Sequence, residues 1–209
     1  MIRRMAMWNY LDYNDPAIES RKCYEVCRKH GKPVIVMEPV KGGNLVRLPE
    51  QAKTVLDHLN GGSPASYAIR FAAGFEGILM VLSGMSDMEQ MEDNVGYMKD
   101  FKPLDGKEME AVEKVRDIFR SMNFISCTSC RYCTAGCPKK ISIPDLFAVM
   151  NAKRIHHDWN ADYYYSVVHT AGGKGKASDC VQCGKCEQAC PQHLPIRELL
   201  KEVAKEFEK

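Results

Sequence analysis

Val34-Ile35-Val36-Met37-Glu38-Pro39-Val40-Lys41-Gly42-Gly43 is a short unbroken apolar run that ends in a glycine pair. Four consecutive apolar residues, three of them β-branched, predict a strand buried on both faces, as in parallel sheets covered by helices. Working outward, Gly77-Ile78-Leu79-Met80-Val81-Leu82 repeats the pattern and runs into a loop at Ser83-Gly84. Met5 to Leu11 reads as a third, short strand, with Asn9 its one polar interruption. Between and after these lie helices. Asn14-Asp15-Pro16 predicts a helix start, with Gly31 stopping it after His30. Pro49-Glu50 opens a helix to Gly61-Gly62, and Ser63-Pro64 opens one that ends near Gly74. Ser86 with Glu89, and Asp105 with Glu108, have the spacing of capping boxes. The first of these helices should reach Lys99, and the second should present Met109, Val112, Val115, Phe119 and Met122 on one face.

Strand–helix alternation of this kind predicts βαβ units and a parallel sheet. Ligands in such sheets bind beyond the carboxyl ends of the strands, here the loops Glu38 to Gly43 and Ser83 to Asp87. Three strands leave two apolar sheet edges unpaired. The remaining strands are therefore expected on another chain or on a longer polypeptide, and association through the open edges is the oligomer this predicts.

The 209 residues carry 29 basic and 27 acidic side chains, a net charge of +2, which gives no electrostatic case for nucleic acid or an anionic membrane. No apolar run approaches a membrane span, and Arg3-Arg4 is not followed by a leader's apolar stretch. A cytoplasmic protein is the expectation.

Ten cysteines stand out, eight of them between Cys127 and Cys190. A disulfide scaffold would be short, secreted and cysteine-rich throughout. Here the cysteines form two runs, Cys127-x₂-Cys130-x₂-Cys133-x₃-Cys137-Pro138 and Cys180-x₂-Cys183-x₂-Cys186-x₃-Cys190-Pro191. Zinc also takes four thiolates, but a zinc ribbon pairs two C-x₂-C knuckles and has no use for a third evenly spaced cysteine followed by C-P. The spacing is that of [4Fe-4S] ligation, in which the fourth cysteine of each run serves the other cluster. Two clusters follow: one on Cys127, Cys130, Cys133 and Cys190, the other on Cys180, Cys183, Cys186 and Cys137. Ile143-Pro144-Asp145 and Leu194-Pro195-Ile196 each begin a helix after a C-P pair, which resembles the α-helical ferredoxin type.

Other residues carry less. Cys23 and Cys27 share a helix face and suit packing. His156, His157, His169 and His193 suit solvated or outer-sphere roles, since eight thiolates already satisfy two cubanes. Tyr163-Tyr164-Tyr165 suits packing between helices. Lys139-Lys140 and Lys153-Arg154 suit a solvated surface, with docking of an acidic redox partner as the alternative.

Residues 34–45 (VIVMEPVKGGNL) and 83–94 (SGMSDMEQMEDN) resemble the C-terminal part of the aldo/keto reductase family, and the whole chain resembles the tail of the subgroup with a ferredoxin-type dicluster extension. The resemblance implies the last three or so strands of a TIM-type (β/α) barrel over residues 1–122, followed by a mainly α-helical dicluster domain over 123–209. It also implies NAD(P) as a cofactor, with Gly84, Met85, Ser86, Gln90 and Asn94 as its contacts. Ser86 stands where many NADP-dependent members have a basic residue, and Met37 near where an aromatic ring often stacks on the nicotinamide. The family's catalytic aspartate, tyrosine, lysine and histidine belong to earlier strands, so no catalytic residue is assigned. An iron–sulfur electron-transfer polypeptide is the leading reading. Its alternative is a non-catalytic subunit whose clusters are structural and which completes a barrel with a partner.

Overall fold

A computed structural model describes residues 4–16, 18–59, 61–156 and 158–209. Arg3 and His157 lie outside the described residues, as do the side chains of Arg4 and His156. The chain divides into two compact units, Met1–Ser121 and Met122–Lys209.

In the first unit, β1 (Arg4–Met7), β2 (Val34–Met37) and β3 (Ile78–Val81) form a three-stranded parallel sheet in that order. Met5 pairs with Ile35 and Met7 with Met37, and Ile35 pairs with Met80 across a register irregularity after Val34. β1 is shorter than Met5 to Leu11 because the chain turns at once. The Asn9 side-chain oxygen accepts from the N–H groups of Leu11 and Asp12, both at 3.0 Å, which closes an Asx turn in place of further strand.

The helix after it, α1 (Ser20–Lys29), starts later than Asn14-Asp15-Pro16 suggests. Backbone turns at Asp12–Asp15 and Asp15–Glu19 take up that stretch, and Glu19 enters α1 with a left-handed φ of 56°. α2 (Glu50–Asp57) stops short of Gly61, whereas α3 (Pro64–Ala73) ends at Gly74 and is capped by Ser63 Oγ accepting from Ser66 N–H at 3.1 Å.

Neither β2 nor β3 is buried on both faces. Val34 and Val36 are wholly buried, but Met37 is exposed, and Leu79 and Met80 of β3 are about half exposed (50% and 49%). The continuous apolar run is thus not matched by two covered faces here. α4 (Met88–Lys99) buries no residue, while α5 (Gly106–Ser121) buries Ala111, Val112, Val115 and Phe119. Trp8, just after β1, is wholly buried, with its ring centroid 4.8–4.9 Å from those of half-buried Tyr13, Tyr24 and Phe75.

The two capping boxes differ. Asp105 and Glu108 exchange N–H bonds at 2.9 Å in both directions, and Glu108 also takes a bidentate pair from Arg70, which ties α3 to α5. At α4 the cap is Asp87, not Ser86: its carboxylate accepts from Gln90 N–H at 2.9 Å, while Ser86 N–H donates to Gln90 Oε1. Asp87→Ala should cost about 1 kcal/mol. Urea denaturation followed by the fluorescence of buried Trp8 would read that loss.

The second unit is helical, with no strand among its described residues. α6 (Tyr132–Ala135), α7 (Ile143–His156), α8 (Ala161–Tyr163) with one π turn (Tyr164–His169), α9 (Lys185–Gln188) and α10 (Ile196–Phe207) surround a core of Ile141, Ile143, Leu146, Phe147, Ile196, Leu200 and Val203. Tyr165 stacks on Phe207 at 4.7 Å, and its hydroxyl meets Glu208 and Ala177 N–H. Tyr163 and Tyr164 are exposed.

Candidate metal centres and the strand-end groove

The two cysteine runs fold as copies of one another. Positive φ angles recur at equivalent places, Ser129 (57°) with Gln182 (58°), Arg131 (64°) with Gly184 (75°), and Lys140 (52°) with His193 (49°). These left-handed residues curl each loop tightly around its cysteines, and in the first run Ser129 N–H reaches Cys127 Sγ at 3.4 Å. The third cysteine of each run, Cys133 or Cys186, rides on the short helix α6 or α9. The long helices α7 and α10 each begin six residues after the last cysteine of a run (137 to 143, 190 to 196).

The copies face each other across two cavities. Cys127, Cys130, Cys133 and Cys190 wall the first, with Thr128, Arg131, Ile143, Phe147, Gln192, Leu194 and Ile196. Cys137, Cys180, Cys183 and Cys186 wall the second, with Lys139, Ile141, Ile143, Val181, Gly184, Lys185 and Leu200. The empty space at each, part of it open to solvent, is about 310 and 330 Å³. Each cavity takes three thiols from one run and the fourth from the other.

The donor set fits an iron–sulfur cluster. A cubane is ligated at its corners, so its thiolates stand around a volume instead of meeting at a point. Among the described residues no group of three or more His, Cys, Asp or Glu side chains converges on a single ion. Burial first, then the neighbouring cysteines, push the Cys133 thiol up to about 12. Burial also raises Cys186, and the N–H of Glu187 partly offsets it.

The remaining residues singled out from sequence fall elsewhere. Cys23 is exposed and Cys27 buried, so only Cys27 packs. His169 stacks on Tyr164, and His193 is exposed. Lys153 pairs with Asp162 and Glu206, and Arg154 with Glu202.

In the first unit the loops after β2 and β3 wall an open groove of about 1900 Å³. Gly84, Ser86, Gln90 and Asn94 line it; Met85 does not, and its side chain is exposed. Asn94 donates to Ser83 Oγ at 3.2 Å, and Gln90 Nε2 donates to Asp87 at 2.7 Å. Arg47 is the one basic residue of the wall, against Glu38, Asp87, Glu89, Glu92 and Asp93. Burial raises the Glu38 carboxyl above its ordinary range, with the Gly42 N–H and Lys41 opposing.

Beside the groove lies a feature that sequence reading missed. Lys41 Nζ meets Asp12 Oδ1 at 2.6 Å with both side chains buried, and Asn9 Nδ2 donates to Asp12 Oδ2 (2.8 Å) and the Glu38 carbonyl (3.0 Å). The partners are 29 residues apart, so no local pattern announces the pair.

Residues 126–194 match the 4Fe-4S dicluster domain, and residues 6–117 match the aldo/keto reductase family. Among solved structures, the aldo-keto reductase AKR11C1 from Bacillus halodurans (apo form) is 20% identical with a TM-score of 0.43. That alignment covers 55% of this chain and 43% of the other, so the chain spans less than half of that structure. No curated protein matches. Among the described residues no helix is long and apolar enough to cross a membrane. Since the match over residues 6–117 takes in more than half of its length, the chain belongs to the aldo/keto reductase family, as an iron–sulfur, oxidoreductase-like member with a dicluster domain.

Proposed function

We propose that Cys127, Cys130, Cys133 and Cys190 hold one [4Fe-4S] cluster and Cys180, Cys183, Cys186 and Cys137 the other, and that the pair passes electrons to or from a redox site on the barrel-type unit. The observation that carries this reading is that each of two cavities is lined by three cysteines of one run and the fourth of the other. When bound, such clusters supply one-electron transfer. The chain's own part is to hold the thiolates at the corners, to aim N–H groups such as that of Ser129 at sulfur, and to exclude water with Ile143, Phe147 and Leu200. Anaerobic purification should give about eight iron and eight sulfide per chain, with [4Fe-4S] EPR signals after dithionite reduction. A colourless, zinc-loaded protein would refute it.

The groove is proposed to take the adenosine end of NAD(P), with Gly84, Ser86, Gln90 and Asn94 as contacts, while exposed Met85 stands outside it. The family match and the position at the strand ends support this. Gln90→Ala and Asn94→Ala should each weaken NADH or NADPH binding several-fold in a fluorescence titration.

A second part of the proposal concerns the barrel. A closed (β/α)₈ barrel has eight strands, and the sheet here has three, with β1 and β3 as its edges. The exposure of Leu79 and Met80 on β3 and of Met88, Met91 and Val95 on α4 supports completion by further strands, from a longer polypeptide or a partner chain. Cytoplasmic location and a redox partner protein belong to the same proposal. Light-scattering mass with analysis of co-purifying chains tests it: a monomer that binds no apolar dye would count against completion.

A further inference from the structure

Each cysteine run is clasped two residues ahead of its first cysteine (125 to 127, 178 to 180) by the long helix that follows the run. In the first run the clasp is Asn151 of α7. Its amide oxygen accepts from Ile125 N–H at 2.9 Å, and its amide nitrogen donates to the Ile125 carbonyl at 2.9 Å. The same carbonyl accepts from Cys127 N–H at 2.7 Å, so the amide stands one hydrogen bond from the first cysteine. Ile125 is 3% exposed, so its backbone groups depend on these partners more than on water.

In the second run the clasp is Glu208, which caps the end of α10. Its carboxylate accepts from Ser178 N–H at 3.1 Å, from the Ser178 hydroxyl and from the Tyr165 hydroxyl. Tyr165 in turn accepts from Ala177 N–H at 3.0 Å, and the Ala177 carbonyl accepts from Cys180 N–H at 3.3 Å. Stacking of Tyr165 on Phe207, the neighbour of Glu208, sets the ring that carries this hydroxyl. Ser178 is exposed, and there a carboxylate with charge-assisted bonds takes the place of the buried amide.

We infer that Asn151 and Glu208 are positioning residues, one for each cluster: Asn151 holds the loop of Cys127, Cys130 and Cys133 closed, and Glu208 that of Cys180, Cys183 and Cys186. This rests on the proposed cluster ligation. Residues at left-handed φ, such as Ser129, Arg131 and Gln182, persist only where their surroundings fix them, so a loop freed at its entry relaxes away from its cluster. Each clasp fixes that entry point. The two share no residue, so each guards its own centre.

The test is iron release from the anaerobically purified, dithionite-reduced full chain to the ferrous chelator bipyridyl. Asn151→Ala and Glu208→Ala should each release about half of the iron about tenfold faster and leave the other half at its normal rate, as expected when an outer partner of metal ligands is removed. The double variant should speed both halves. Glu208→Gln keeps an oxygen facing Ser178 N–H and should release iron at the unaltered rate. In a Cys137→Ala chain, which keeps the first cluster alone, Asn151→Ala should still speed release and Glu208→Ala should not. General loosening of the domain would not give such halves. Unchanged release, one variant that speeds all of the iron, or the reverse dependence in the Cys137→Ala chain would overturn the inference. An unaltered chain without cubane iron, or a Cys137→Ala chain with none, would instead overturn the ligation on which it rests.

Discussion

Cys137→Ala is expected to strip iron from the run it does not belong to. Its thiol lines the cavity of Cys180, Cys183 and Cys186, so the variant should keep about four of eight irons, those on Cys127, Cys130, Cys133 and Cys190. Combination exposes the sharing. Cys137→Ala with Cys183→Ala acts twice on one centre and should cost no more iron than either change alone. Cys137→Ala with Cys130→Ala touches both centres and should leave the chain without clusters. Sites that act as one unit are non-additive and independent ones add. Uncrossed ligation reverses the two outcomes, so iron analysis of the two double variants decides between them.

Lys41→Met should be among the most destabilising single changes in the first unit. It leaves the Asp12 carboxylate buried with Asn9 as its side-chain donor, and breaking a buried ion pair from one side costs about 3–5 kcal/mol. Lys41→Met/Asp12→Leu removes both charges and should recover most of the loss, since Asn9 keeps its bond to the Glu38 carbonyl. Trp8 is wholly buried in this unit and Trp159 is 84% exposed, so a red shift on denaturation reports the first unit. Equal instability of the single and double variants would show that the pair is not the source of the loss.

What could be read from the sequence was what is local. The β2 span, the Asp105–Glu108 box, the Ser63 cap and the start of α10 follow from neighbouring residues, and they appear where their chemistry puts them. The parallel sheet follows from the alternation of short apolar runs with helices. Burial was harder. Leu79 and Met80 read as part of a strand covered on both faces, yet each is about half exposed, because coverage belongs to neighbours and not to the run itself. Groove lining was hidden for a similar reason: Met85 sits between groove residues in sequence but is not among those that line it. The Lys41–Asp12 pair lay beyond reach because a charge in sequence looks like surface until its distant partner is known. At the cysteines, the repeated spacing assigned the fourth thiol of each run to the other cluster, and in the fold that thiol lines the cavity of the other run's first three.

Ile143 stands in the walls of both cavities and is 1% exposed. A single branched alkyl group therefore borders both. Were the proposed clusters in place, loss of one would leave Ile143 wet on that side and bring solvent nearer to the other. Corrosion by oxygen that starts at either centre would then spread through the common wall instead of stopping at the half where it began.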